Sequence, residues 1–171
     1  MATTLTLEEM EALLAEHEAA EFNLDIDRTM ATLIDVPVFE LPGLNLRIEG
    51  YDAVAEMYRR LLAGGDARNF WAEKITHAIA ENSLVREAYI YFDTADGERK
   101  TGRYNVVMEF EGDKIKGERF FMDATYTEVI REVMGEDFLD VPGVFPLDQK
   151  SPPPLARIVD RAAAHAANSN H

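Results

Sequence analysis

The sequence predicts an α+β fold with helices first and a long antiparallel sheet second. Two observations carry this. Apolar residues recur at helical spacing through the first third of the chain, and the period then changes to two from Phe70 to Asp123. A third observation bounds it: 171 residues is a one-domain length, able to bury about 70% of its unfolded surface.

The elements follow in order. Thr6-Leu-Glu-Glu9 reads as a capping box, in which Thr6 accepts from an early amide and Glu9 reaches back. Leu7, Met10, Leu13, Leu14, His17 and Ala20 then form one helical stripe, with most acids on other faces. Asp25 reads as a second N-cap, opening a helix through Ile34. Asp35 to Leu41 is a short β segment, and Pro37 argues for an edge or a strand start. Pro42-Gly43 turns the chain, Leu46 to Ile48 is extended, and Tyr51 to Ala63 is a helix ended by Gly64-Gly65. Phe70 to Ala80 and Leu84 to Phe92 are strands joined at Glu81-Asn82-Ser83.

Thr101 to Glu111 and Lys114 to Asp123 form a hairpin about the two-residue turn Gly112-Asp113. That turn sets Glu111 opposite Lys114 and Glu109 opposite Lys116. One face then collects Tyr104, Val106, Met108, Phe110, Ile115, Gly117, Arg119, Phe121 and Asp123, while Val107, Phe120 and Met122 fall on the other. A helix covers Ala124 to Met134. An irregular stretch from Gly135 to Pro154 holds five of the seven prolines, and a final helix is expected over Leu155 to Ala167. The expected division is a domain over 1–134 and a Pro-rich extension over 135–171.

Charge excludes several functions. The formal net charge is −15, and residues 1–27 hold eight acids with no Lys or Arg. Nucleic-acid and anionic-membrane binding need a basic surface, and none is visible. No apolar run approaches the roughly 20 residues of a membrane span, and MATTLTLEEM lacks the basic and apolar regions of a signal peptide. With no Cys, thiolate chemistry is absent, and a cytoplasmic location is expected.

Candidate chemistry is sparse. No glycine-rich phosphate loop, dinucleotide fingerprint or nucleophile elbow is present. His17-Glu18-Ala-Ala-Glu21 approaches the zinc helix H-E-x-x-H, but no third ligand accompanies it, so neither metal nor cofactor is expected. It reads more simply as a helix with a partly buried His. Asp123 ends a strand on an apolar face. Spacing leaves it two readings: a desolvated carboxylate able to act as acid or base, or an exposed cap of the helix at Ala124. His77 falls opposite Glu87 or Ala88. A His77–Glu87 dyad is one outcome, and an ordinary surface pair is the favoured one.

Three stretches carry a resemblance. They are DIDRTMATL from Asp25, EGYDAVAEMY from Glu49, and MEFEGDKIKGERFFMD from Met108 to Asp123. In order and spacing, over about residues 8 to 134, they resemble the SnoaL-like polyketide cyclase group of the nuclear transport factor 2-like superfamily. The resemblance implies a cone-shaped α+β barrel, a strongly curved sheet around N-terminal helices lining a cavity. Members include cyclases, an isomerase, a dehydratase, an epoxide hydrolase and non-catalytic binding domains. Asp123 matches a carboxylate that serves the cyclases as acid/base, and Tyr58 matches a helix Tyr at the cavity. Where many relatives carry His-Asp, this chain has Leu24-Asp25, and residues 135–171 have no counterpart.

The function implied is a cofactor-independent acid/base enzyme (isomerase, cyclase or lyase) acting on an apolar cyclic or polyketide-like molecule. Asp123, His77 and Tyr58 are its expected catalytic residues. Asp25, Phe70, Trp71, Glu87, Tyr104, Val106, Met108, Arg119 and Phe121 are expected at the pocket. A non-catalytic binding or dimerisation module is the alternative. Third is an epoxide-hydrolase-like reading with Arg119 central. The apolar residues on the outer sheet face lead to the expectation of a homodimer.

Overall fold

The computed structural model describes residues 3–147. Helix α1 spans Leu7–Phe22 and α2 Ile26–Ala31. Strands β1 (Leu33–Leu41) and β2 (Leu46–Glu49) precede α3 (Tyr51–Ala67). Then come β3 (Trp71–Ala80), β4 (Ser83–Asp93), β5 (Arg99–Glu111), β6 (Lys114–Met122), α4 (Ala124–Met134) and β7 (Val144–Pro146). The strands form one strongly curved sheet in the order β3-β4-β5-β6-β1-β2-β7, antiparallel except where β1 runs parallel to β6. Helices α1, α3 and α4 share its apolar core.

Local chemistry sets the element ends. The capping box of α1 forms in both directions, Glu9 N to Thr6 at 3.2 Å and Thr6 N to Glu9 at 2.8 Å. Asp25 caps α2, which stops at Ala31, short of the expected Ile34, because the chain enters β1 at Leu33. Strand β1 is also not at an edge. It lies between β6 and β2, and Pro37 is tolerated because it sits where the β1–β6 register shifts. Helix α3 continues through Gly64-Gly65 to Ala67. A Cβ at Gly64 would come within 2.4 Å of the Val133 side chain, so this glycine serves the close approach of α3 to α4.

Two turns differ from the sequence reading. The β3–β4 turn contains two residues, Glu81-Asn82, so Ala80 pairs with Ser83 and His77 faces Arg86, not Glu87. In the β5–β6 hairpin, Glu111 pairs with Lys114 and Phe110 with Ile115 as expected. Glu109 then pairs with Gly117, leaving Lys116 as an extra residue. Beyond this bulge every pair is shifted by one, and a shift of one moves each side chain to the opposite face. Glu118, Phe120 and Met122 therefore turn to the concave side. Arg119 pairs with Glu109 at 2.6 Å, and Phe121 is 46% exposed. The apolar outer face expected from Phe120, Met122 and Val107 loses two of its three members.

The bulge requires glycine. Gly117 has φ +155°, and a Cβ there would stand 1.7 Å from the Val38 carbonyl oxygen of β1. Past residue 134 the chain keeps to the sheet: a short 3-10 turn, Glu136–Asp140, leads into β7, which pairs with β2. The helix expected over 155–167 lies outside the described residues.

Candidate functional site

A cavity of about 640 Å³ lies between the concave sheet and helices α1, α3 and α4. Its walls are mainly apolar, with Leu14, Phe39, Met57, Ile90, Met108 and Phe120 among them. Its polar groups are few, and most gather at the α1 side.

His17 is the centre of that group. It extends the apolar stripe of α1 and is 1% exposed. Its Nδ1 lies 2.6 Å from Thr32 Oγ1. Thr32 Oγ1 donates its own hydrogen to the Thr29 carbonyl at 2.6 Å, so it must accept from His17, which puts a proton on Nδ1. Nε2 is then the side that changes. It lies 2.9 Å from the Tyr58 hydroxyl, 3.3 Å from Glu21 Oε1 and 3.7 Å from Glu118 Oε1. Neutral His17 accepts from Tyr58; protonated His17 presents a donor to the two carboxylates. Burial opposes its charge, but Glu21 and Glu118 outweigh this and raise its pKa above the ordinary value.

Glu118 is 8% exposed. Burial pushes its carboxyl up to about 7, with His17 and Arg86 opposing and Glu21 adding to the rise. It is thus a group that exchanges protons near neutrality. Two phenols complete the set. Burial holds Tyr58 well above the usual phenol range and pushes Tyr104 up to about 12, so both stay protonated and can donate.

Arg86 forms the far part of the polar wall. It occupies the inward row of β4, between Leu84 and Ala88, and is 5% exposed. Its Nη1 is ion-paired with Glu18. Nε and Nη2 are buried and have no hydrogen-bond partner among the described residues. A buried donor left unpaired costs about 1–3 kcal/mol.

The expected site residues divide. Tyr58, Phe70, Trp71, Tyr104, Val106 and Met108 line the cavity. Six others are placed elsewhere. Asp123 is an exposed N-cap: it accepts from Tyr126 N at 2.8 Å and from Arg103 N at 2.9 Å. The bulge at Gly117 explains this, since it puts Asp123 out of phase with the cavity. Arg119 and Phe121 are turned outward for the same reason. Asp25 caps α2 through Arg28 N. His77 is exposed and bonds to Glu11 at 3.0 Å, and Glu87 is ion-paired with Arg103. The acid–Arg–acid set built on Arg119 therefore does not assemble.

His17, Glu118 and Arg86 are among the cavity residues that sequence reasoning left out. Two had a visible signal: His17 interrupts an apolar helical stripe, and Arg86 interrupts the alternating row Leu84, Ala88, Ile90, Phe92. Among the described residues no group of three or more His, Asp or Glu is placed to hold a metal ion, and no helix is long and apolar enough to cross a membrane.

No protein-family profile and no curated protein sequence matches the chain. Solved structures do. A nuclear transport factor 2-like protein of unknown function from Cytophaga hutchinsonii superposes with a TM-score of 0.56 at 19% identity, over 66% of this chain and 98% of that one. The fold is therefore nuclear transport factor 2-like. Two other neighbours of this fold are provisionally named polyketide cyclases. One, from Xanthomonas campestris pv. campestris, has a TM-score of 0.60 at 14% identity, over 73% of this chain and 98% of that one. The other, SnoaL-like and from Jannaschia sp. CCS1, has a TM-score of 0.61 at 10% identity, over 72% and 91%. This nuclear transport factor 2-like sheet forms the concave wall on which Glu118 meets His17.

Proposed function

We propose that the cavity binds a small, largely apolar cyclic molecule and moves a proton on it, with Glu118 as general base and acid. The observation that supports this is the placement of Glu118. A carboxyl pushed up to about 7 faces an apolar cavity beside a histidine that can accept or release a proton. Ionised Glu118 takes a proton from a carbon next to a carbonyl. Tyr104 donates to the oxyanion that develops. His17, held by Thr32 and Tyr58, adjusts the charge beside Glu118. Returning the proton to a different atom gives isomerisation; loss of a leaving group gives elimination; attack by the enolate on a second carbonyl gives cyclisation. Asp123 has no part in this reading, because both its oxygens accept from backbone amides outside the cavity.

The test uses exchange of the α-protons of 2-tetralone in D2O, followed by NMR. The wild-type protein should accelerate exchange over buffer. Glu118→Gln should lower that acceleration by about 100-fold or more. Asp123→Asn should stay within about twofold of wild type, as a residue outside the reacting geometry would. Exchange by Glu118→Gln at the wild-type rate would show that the proton moves elsewhere.

A further inference from the structure

Arg86 points to the chemical class of the ligand. Its planar guanidinium has two edges. Nη1 is committed to Glu18. The two nitrogens without a partner among the described residues, Nε and Nη2, carry N–H bonds that run parallel along a single edge, the geometry that accepts both oxygens of a carboxylate. Charge agrees with shape at this corner. Glu18 is shared between Arg86 and Lys74, whose Nζ lies 3.5 Å away, so two cations face one acid. Of the other acids on the wall, Glu21 and Glu118 lie against His17, with Glu118 also within electrostatic reach of Arg86, and Asp66 stands on α3. The neighbouring inward positions of β4 and β5 are mainly apolar, Leu84, Ile90, Val106 and Met108 among them, with Tyr104 the polar exception.

We propose that the ligand of this cavity is a carboxylic acid with an apolar ring body, its carboxylate held two-pronged by Nε and Nη2 of Arg86. The inference rests on the small-molecule reading of the cavity and adds the anionic group. Both nitrogens are shielded from water, so the carboxylate reaches them by displacing a neighbouring side chain. Arg86 would then be the residue that selects acids over neutral rings and fixes which end of the molecule meets Glu118.

Calorimetric titration of the full chain with 2-naphthoate and 2-naphthamide tests this. The two probes share shape and differ in charge. Wild type should bind naphthoate at least about tenfold tighter, a modest gain for a charge-assisted pair. Arg86→Met should erase the preference while still binding naphthamide. Arg86→Lys, a point charge without the parallel edge, should keep a smaller preference, and it serves as the test if Arg86→Met does not fold. Equal affinities in wild type, or an undiminished preference in either variant, would overturn the proposal and leave the cavity reading standing. Failure of both probes to bind would overturn the cavity reading, and this inference with it.

Discussion

Glu118 shows how one buried side chain links function to stability. Its proton is held more tightly in the folded protein than in the unfolded chain, where the ordinary value is 4.5. A raised folded-state pKa contributes stability that is complete below the unfolded value and is lost as pH rises through the folded one. For Glu118 the window runs from about 4.5 to about 7. His17 is raised above 6.5, so it acts in the same direction somewhat higher in pH. Wild type should therefore lose stability relative to Glu118→Gln between pH 4.5 and 8, by about 1–3 kcal/mol. Urea unfolding of both proteins at the two pH values measures it. A difference that does not change with pH would mean that Glu118 titrates as a surface carboxylate.

At the scale of elements, the deciding feature is the bulge in β6. Were Lys116 paired in a regular strand and not bulged, the row facing the cavity would be Arg119, Phe121 and Asp123; with the bulge, the row is Glu118, Phe120 and Met122. Gly117 makes this possible by letting the Val38 carbonyl of β1 approach where a Cβ would stand. Gly117→Ala should cost about 3 kcal/mol or more, because backbone atoms on a neighbouring interior strand cannot move aside cheaply. A loss below about 1 kcal/mol in denaturant unfolding would show that the bulge accommodates a side chain and that its register is not glycine-dependent.

The same bulge marks the limit of sequence reading. Period-two alternation shows that β5 and β6 pair, and the turn Gly112-Asp113 places Glu111 opposite Lys114. It cannot show the extra residue two positions beyond Lys114, and an error of one residue reverses every face beyond it. Capping boxes, helix stripes and strand limits are local, and were legible to within a few residues. Val38 pressing on Gly117, and Val133 pressing on Gly64, are contacts between distant elements; the first leaves only a glycine on a strand in the sequence, and the second a glycine that reads as a helix end.

At the scale of the molecule, curvature does the organising. The sheet bends around α1, α3 and α4, and the space between is larger than the core side chains fill. The polar residues on its wall come from α1, α3, α4 and β3 to β6, elements far apart in the chain. The eight acids before Arg28 divide accordingly: Glu8 and Glu9 stand outside on the first turn of α1, while Glu18 and Glu21 enter the cavity wall. Acidity there is part of the site as well as of the solvated surface. A fold of this kind hosts many chemistries, so the proton chemistry must be argued from Glu118 and its neighbours.

That chemistry requires Glu118 to hold its proton until near-neutral pH. The direct measurement is the titration of its side-chain carboxyl carbon by 13C NMR, with the signal assigned by its loss in Glu118→Gln. If that chemistry holds, the midpoint lies near 7. A midpoint near 4.5, the ordinary value for a solvated glutamate, would contradict it.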